Sequence, residues 1–199
     1  IGLQLGLDEG GGLPDLAAQP LSSVTPEILN TYLMRYRSNL RVLKSTPNPS
    51  GVGPKLTPAF TRTLLRFLSQ DSDYLVIDLP PRMDDAYMEA LRMCNTIILT
   101  LEPNRIGMEL AQRTLGILDE QNLGTLEIKL MLIHRVPVVA PLNRSMIEQT
   151  LHREMIGGVP LAADLAYQSV ENRKPMVEIQ PRGLVAQQVR RVVQSVVKD

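Results

Sequence analysis

The chain has 199 residues, of which 44% are hydrophobic and 21% charged, a balance typical of one ordinary globular domain rather than a disordered or fibrous chain. Lys plus Arg and Asp plus Glu both number 21, and this zero net charge argues against a dedicated nucleic-acid-binding domain. The single Cys94 excludes an intramolecular disulfide and a multi-cysteine metal site. No signal-peptide pattern or membrane-length apolar run is present, so we expect a cytoplasmic protein.

The first 39 residues predict short helical pieces rather than a sheet. A glycine turn spans residues 10–12, a short helix follows, and a further helix begins at Thr25-Pro26, where proline suits the first helical position. The sequence opens on Ile1 rather than methionine, which we interpret as a cut end. We therefore expect that the first strand of a parallel sheet is missing from this chain.

From residue 40 onward, short apolar runs alternate with segments of helical period, the pattern of βαβ units. This alternation predicts an α/β fold with a doubly wound, mostly parallel sheet, in one domain over residues 1–199. The expected strands cover residues 40–43, 74–79, 96–101, 128–133 and 156–159.

Two of the predicted helices have well-defined apolar stripes. Thr57 before Pro58 predicts a capped helix start, followed by a buried face of Phe60, Leu64 and Leu68. Asp84 is predicted to cap the next helix. A later helix carries apolar side chains at helical spacing, which we expect to face the core: Ile106, Leu110, Thr114, Ile117 and Leu118.

Asp78 is the first candidate functional residue. It ends the apolar run 74–79, and two prolines follow it. Ligands of open α/β sheets bind at the carboxyl ends of strands, where an aspartate can hold Mg²⁺ or its water in nucleotide hydrolases. A carboxylate that only caps the loop remains an alternative. A receiver-type phosphoacceptor is disfavoured, because Lys44-Ser45-Thr46 stands where such a domain needs acidic residues.

No Gly-x-x-x-x-Gly-Lys-Ser/Thr phosphate loop occurs in the sequence. The nearest approximation covers residues 50–57. Pro54 there has no N–H to offer a phosphate, and Lys55 does not directly follow the glycine. We predict that this segment is an ordinary loop.

Taken in order, the apolar segments resemble those of MinD/ParA-type ATPases over nearly the whole chain. Tyr74-Leu-Val-Ile-Asp78-Leu-Pro-Pro resembles the second-carboxylate strand, and Leu130-Met-Leu-Ile-His134-Arg135 stands where the family has a strand that ends in Asn-Arg. Gly158-Val-Pro160 and Ser169-Val-Glu-Asn-Arg-Lys-Pro175 match the positions of the family's Ile-Pro loop and its helix end. Asn39-Leu-Arg-Val-Leu-Lys-Ser-Thr-Pro and Leu56-Thr-Pro resemble the CpaE/TadZ branch, which is associated with pilus assembly.

The resemblance implies a P-loop NTPase-like fold, N-terminally truncated, with residues 1–39 forming a post-switch helical segment and residues 40–199 the sheet core. It implies ATP and Mg²⁺ as cofactors, with Asp78 as catalytic and metal-binding residue. The residues that would flank the adenine are His134, Arg135, Pro160, Leu161 and Asp164. His134 departs from the family's asparagine, because an imidazole lacks the paired amide donor and acceptor that read a base edge. The family's phosphate loop would precede Ile1, so we expect weak or no ATP binding and no turnover in the chain as given.

The function implied by the resemblance is a dimerising nucleotide switch that positions pilus or type II–IV secretion machinery in a bacterial cytoplasm, with recruitment to the inner membrane or cell pole. The alternative is a non-catalytic scaffold of the same fold that acts through protein contacts. DNA partitioning of the ParA kind finds no support in the zero net charge. We expect the last helix to be part of the core rather than a membrane anchor, because its valine-rich face lacks the aromatic residues of interfacial helices.

Overall fold

The protein is described from a computed structural model, which covers residues 1–45, 55–80, 83–121, 123, 126–137 and 142–197. The chain forms two compact units, Ile1–Met93 and Cys94–Asp199. Each unit contains its own cluster of buried hydrophobic side chains. Across the described residues, no helix combines the length and the apolar character that crossing a membrane requires.

The first unit is mainly helical, with one small hairpin. Beside two short 3₁₀ turns, its elements are α1 (Leu13–Ala17), α2 (Pro26–Tyr32), β1 (Met34–Arg37), β2 (Leu40–Val42), α3 (Pro58–Gln70) and α4 (Asp85–Arg92). The N-terminal loop is held by Lys44, a buried lysine whose Nζ donates to the backbone carbonyls of Leu7, Asp8 and Glu9.

The helix starts in this unit are confirmed where sequence chemistry predicted them. The Thr25 hydroxyl accepts the N–H of Ile28 at the start of α2, and the Thr57 hydroxyl accepts the N–H of Phe60 at the start of α3. An Asp84 carboxylate oxygen accepts the Tyr87 N–H at 2.9 Å and caps α4. The predicted inner face of α3 is also confirmed, since Phe60, Leu64 and Leu68 are all buried.

A buried carboxylate links α3 and α4. Arg62 Nε on α3 donates to Glu89 Oε1 on α4 at 2.7 Å, and Arg92 lies 3.9 Å away from the other oxygen. Arg62, through its hydrogen bond and its charge, lowers the pKa of Glu89 against the opposing effect of burial. The ion pair therefore satisfies the one acidic side chain on the buried face of α4.

Two predicted parallel strands in this unit are wrong. Residues 40–42 pair antiparallel with β1 in a hairpin, with Met34 opposite Val42. Residues 74–80 form neither helix nor strand, and Val76 is 89% exposed. A strand exists only where a neighbour completes its hydrogen bonds, and no strand among the described residues pairs with this segment. Asp78 accordingly does not stand at the tip of a sheet strand.

The second unit is built on a parallel three-stranded sheet. The strands β3 (Thr96–Leu101), β4 (Glu127–Ile133) and β5 (Met155–Val159) lie in the order β3-β4-β5. Leu101 stands opposite Leu132 in the first pair, and Ile133 opposite Val159 in the second. All three strands were predicted, and the parallel pairing of this part of the sheet is confirmed.

Helices connect these strands and cover both faces of the sheet. They are α5 (Arg105–Glu120), α6 (Arg144–Leu151), α7 (Ala163–Glu171), α8 (Met176–Ile179) and α9 (Leu184–Val196). The core on one face joins Leu130 to Ala111 and Ile147 from α5 and α6. On the other face, buried Lys129 donates to the Ser195 carbonyl of α9 at 2.9 Å. The fold is therefore an α/β fold with a doubly wound parallel sheet, as predicted.

The predicted inner face of α5 is mostly wrong. The side chains that face the core are Ala111, Leu115 and Leu118, and of these only Leu118 was predicted to do so. Ile106, Leu110 and Ile117 are exposed. The helix has apolar residues on two opposite sides, and helical spacing alone does not tell which side meets a sheet.

The start of α5 is fixed by a cap and a close backbone approach. Asn104 Oδ1 accepts the Gly107 N–H at 2.8 Å. A Cβ on Gly107 would lie 2.3 Å from the carbonyl oxygen of Glu102, so no side chain fits there without a shift of the loop. Gly116, on the exposed side of the same helix, has no atom within 4 Å of its would-be Cβ.

The junction of α6 and β5 depends on one carboxylate. Glu148 Oε1 accepts the Met155 N–H at 2.9 Å and an Arg144 N–H at 3.1 Å. These two donors lower the pKa of Glu148, the Met155 N–H contributing more. Arg144 also donates to the Met155 carbonyl at 2.5 Å, so the pair joins the helix directly to the strand.

The two glycines of α5 predict opposite effects of the same substitution. Gly107→Ala should destabilise the fold by about 1–3 kcal/mol, because the new methyl group overlaps the Glu102 carbonyl. Gly116→Ala should stabilise it by up to about 1 kcal/mol through helix propensity. Urea denaturation of both variants measures this difference, and equal changes of the same sign would contradict the backbone approach at Gly107.

Glu148 predicts a pH-dependent part of the stability. Because its folded pKa lies below the ordinary value of 4.5, its contribution is present above that pH and is lost as the pH falls through the folded pKa. Glu148→Gln should therefore lower the free energy of unfolding at about pH 7 and reduce its fall towards about pH 3. The control is Glu171→Gln, on an exposed residue, which should retain the wild-type acid dependence; an unchanged acid dependence in Glu148→Gln would refute the assignment.

Candidate functional site

The carboxyl edge of the β3-β4-β5 sheet brings three loops together. Glu102 and Pro103 follow β3, His134 and Arg135 follow β4, and Pro160 follows β5. Because the strands are parallel and in register, these loops leave the sheet on the same side, which is where ligands bind in open α/β sheets. We take this edge as the candidate site of the second unit.

The sheet positions His134 and Arg135 at the start of the loop after β4. The His134 N–H donates to the Val159 carbonyl at 3.0 Å and so extends the pairing of β4 with β5 by one residue. The imidazole is half-buried. Arg135 Nε lies 3.8 Å from Glu102 Oε1, with its side chain largely exposed, so water screens the pair and it contributes little to stability. The Arg135 guanidinium therefore remains accessible to a ligand.

The loop after β5 contributes the other predicted adenine-flanking residues. Pro160 is half-buried, Leu161 is exposed, and Asp164 is an exposed residue in the first turn of α7. The structure thus places Pro160 beside His134 at the same edge, through the pairing of their strands. For Leu161 and Asp164 it gives the position along the loop and helix, and their contact with a ligand remains a prediction.

Glu102 is a functional candidate that the sequence analysis missed. Its Oε2 accepts a hydrogen bond from the Asn104 side-chain amide at 3.1 Å, and Asn104 in turn caps α5. The carboxylate is therefore oriented by the helix start and directed towards Arg135. An acidic residue followed by proline and asparagine directly after an apolar strand was the available signal.

Asp78 lies in the first unit, on the extended segment 74–80, and its side chain is exposed. Among the described residues, no group of three or more histidine, cysteine or acidic side chains could hold a metal ion. A single carboxylate can bind Mg²⁺ when phosphates and water supply the remaining ligands. A role for Asp78 at the metal of a bound nucleotide stays a prediction.

Most of the segment considered as a phosphate loop falls outside the described residues. Residues 46–54 are not described, and this includes Gly51, Gly53 and Pro54. The described remainder is exposed Lys55 and the sequence that leads into the Thr57 cap of α3. The prediction of an ordinary loop at residues 50–57 therefore stays a prediction.

No protein-family model and no curated protein matches the sequence. Solved structures match over almost the whole chain. A ParA family ATPase from Chlorobium tepidum TLS has 15% identity and a TM-score of 0.80, covering 94% of this chain and 75% of its own. The septum site-determining protein MinD complexed with Mg-ADP, from Pyrococcus horikoshii OT3, has 16% identity and a TM-score of 0.80, covering 99% and 78%.

The MinC:MinD cell division protein complex from Aquifex aeolicus provides a third match, with 17% identity, a TM-score of 0.75 and coverage of 98% of this chain and 77% of the matched one. The TM-scores establish a common fold, whereas identities this low leave the activity open. The chain has the fold of the ParA and MinD ATPases.

Proposed function

We propose that the protein is a nucleotide-dependent switch, an ATPase module of the MinD/ParA type, which binds ATP and Mg²⁺. The observation that carries this proposal is the carboxyl edge of the β3-β4-β5 sheet, where His134, Arg135 and Pro160 lie on adjacent loops. The similarity to a MinD structure that contains Mg-ADP supports the choice of ligand.

The adenine would lie against the loops after β4 and β5. Pro160 and Leu161 offer apolar surface to the face of a base, and the half-buried His134 ring offers a flat partner. His134 supplies one donor or acceptor at each ring nitrogen, so it reads a base edge less selectively than an amide does. Arg135 and Asp164 add polar groups at the rim, where Glu102 Oε1 lies 3.8 Å from the Arg135 side chain.

Asp78 would act on the metal and the attacking water. In nucleotide hydrolases, one carboxylate orders Mg²⁺ and its water while backbone N–H groups bind the phosphates. The exposure of Asp78 is compatible with this role, because the ligand itself would supply the other groups around the metal.

At a finer level, we propose the CpaE/TadZ branch as the biological context. The protein would dimerise in a nucleotide-dependent manner and position pilus or secretion machinery from the bacterial cytoplasm, with recruitment to the inner membrane or the cell pole. The segments 39–47 and 56–58 support this assignment by their resemblance to that branch.

A scaffold that acts only through protein contacts is the second candidate. The exposed apolar side chains on α5 favour it, because such a face is typical of a surface that a protein partner covers. The two candidates differ in one measurable property, the binding of nucleotide.

The 199-residue chain itself should bind ATP-Mg²⁺ weakly, with a dissociation constant of about 1 mM or above, and should show no turnover. Isothermal titration with ATP-Mg²⁺ and with adenosine separates base contacts from phosphate contacts. Micromolar affinity that depends on the triphosphate would show a phosphate site that the sequence analysis did not find, and residues 51–57 would then be mutated first.

In a form of the protein that contains a phosphate loop, Asp78→Asn should leave nucleotide affinity within about twofold and reduce hydrolysis by about a hundredfold, because the carboxylate acts on metal and water rather than on the phosphates. Asp73→Asn, the same substitution at another exposed site, is the matched control. Unchanged turnover in Asp78→Asn would contradict its role, and the absence of any nucleotide binding in the wild type would favour the scaffold.

A further inference from the structure

The side of α5 that points away from the core is apolar. Ile106 is 71% exposed, Leu110 58% and Ile117 43%. Two charged side chains lie among them, Glu109 and Arg113, which form an exposed ion pair one helical turn apart. These five residues are called the outer face of α5.

The outer face is a different side of α5 from the one that packs on the sheet. That inner side is already covered, since Ala111, Leu115 and Leu118 are buried. A helix with apolar residues on both sides is typical of one that has neighbours on both sides. Water therefore covers a surface that would be more stable in contact with another apolar surface.

The charges on the outer face argue for a second copy of this chain as the occupant. Glu109 and Arg113 sum to zero, so the face offers no charge of one sign for nucleic acid, an anionic membrane or an acidic peptide. A two-fold dimer instead requires a face that is complementary to itself. A face that carries one acid and one base beside apolar residues meets this requirement if the spacing is right.

The spacing is right for antiparallel packing of two α5 helices. Ile106 and Ile117 are placed symmetrically about the midpoint between residues 111 and 112, and Glu109 and Arg113 about residue 111. These two centres differ by half a residue, about 0.75 Å along the axis of a helix. One two-fold axis thus places apolar residues against apolar residues and opposite charges against each other.

We propose that α5 pairs antiparallel with α5 of a second copy, about a two-fold axis near residue 111. Ile106 packs against the partner subunit's Ile117, and Arg113 pairs with the partner subunit's Glu109. Leu110 lies on the other flank of the contact and packs near the partner subunit's Leu110. This contact does not depend on the proposed nucleotide switch and needs no nucleotide.

The dimer is a weak one. A single helix pair buries less than the area of about 1,600 Å² that stable interfaces bury in total. Its ion pairs are exposed to solvent and contribute little. We therefore expect a dissociation constant of about tens of micromolar. The protein would then change from monomer to dimer within the concentration range of ordinary solution measurements.

Sedimentation equilibrium of the 199-residue chain without nucleotide tests the contact. The wild type should show a reversible monomer–dimer equilibrium, and Leu110→Glu should weaken it by about tenfold or more, because the new carboxylate stands in the apolar centre. The control is Gln112→Glu, an exposed position of the same helix outside the outer face, which should dimerise like the wild type. Circular dichroism checks that each variant is folded.

Charge reversal tests the pairing itself. Arg113→Glu and Glu109→Arg should each weaken dimerisation by about tenfold, since each replaces an attraction by a repulsion at both symmetric contacts. An equimolar mixture of these two variants should form a heterodimer, because every contact then joins opposite charges. The double variant with both substitutions should dimerise again.

Three results would overturn the proposal. The first is a wild type that stays monomeric up to about 0.5 mM, far above the expected dissociation constant. The second is a Leu110→Glu variant that dimerises like the wild type, which would place the interface elsewhere. The third is a mixture of Arg113→Glu and Glu109→Arg that stays monomeric while the wild type dimerises, which would exclude the antiparallel pairing and leave the outer face to a different protein partner.

Discussion

The parallel hydrogen-bond ladder that joins β3, β4 and β5 is the constraint on which the second unit depends. Parallel strands cannot be joined by tight turns, so each connection must cross over the sheet, and helices provide these crossovers. The same ladder places the loops after the three strands at one edge. The covered faces of the sheet and the candidate site are therefore two consequences of one pairing pattern.

Hydrogen bonds of polar side chains fix how the helices and loops are attached to the strands. Glu148 joins α6 to β5 through the Met155 N–H, and Lys129 joins β4 to the last turn of α9. Asn104 caps α5 and orients Glu102 at the edge of the sheet. Each of these side chains binds a backbone group that helix ends or strand ends leave unsatisfied. The positions of the loops at the candidate site thus depend on a few hydrogen bonds close to the strands.

The two candidate functions use different surfaces of the same unit. A nucleotide would bind at the carboxyl edge, near His134 and Pro160, whereas a protein partner, a second copy of this chain in our proposal, would cover the outer face of α5. Pro103, fully buried, and the Asn104 cap separate the edge from the first exposed residue of that face, Ile106. The loop after β3 therefore borders both surfaces.

The sequence by itself determined what depends on near neighbours along the chain. Thr57 and Asp84 each bond an N–H three residues away, so their caps were predictable, as were the strands of the second unit from their apolar runs. The tertiary structure alone decided that Ala111 and Leu115 of α5 face the sheet and that Ile106 and Leu110 do not, because both sides of the helix are apolar and helical spacing does not distinguish them. It also decided that residues 74–80, however apolar, form no strand, because a strand requires a partner that the segment itself cannot specify.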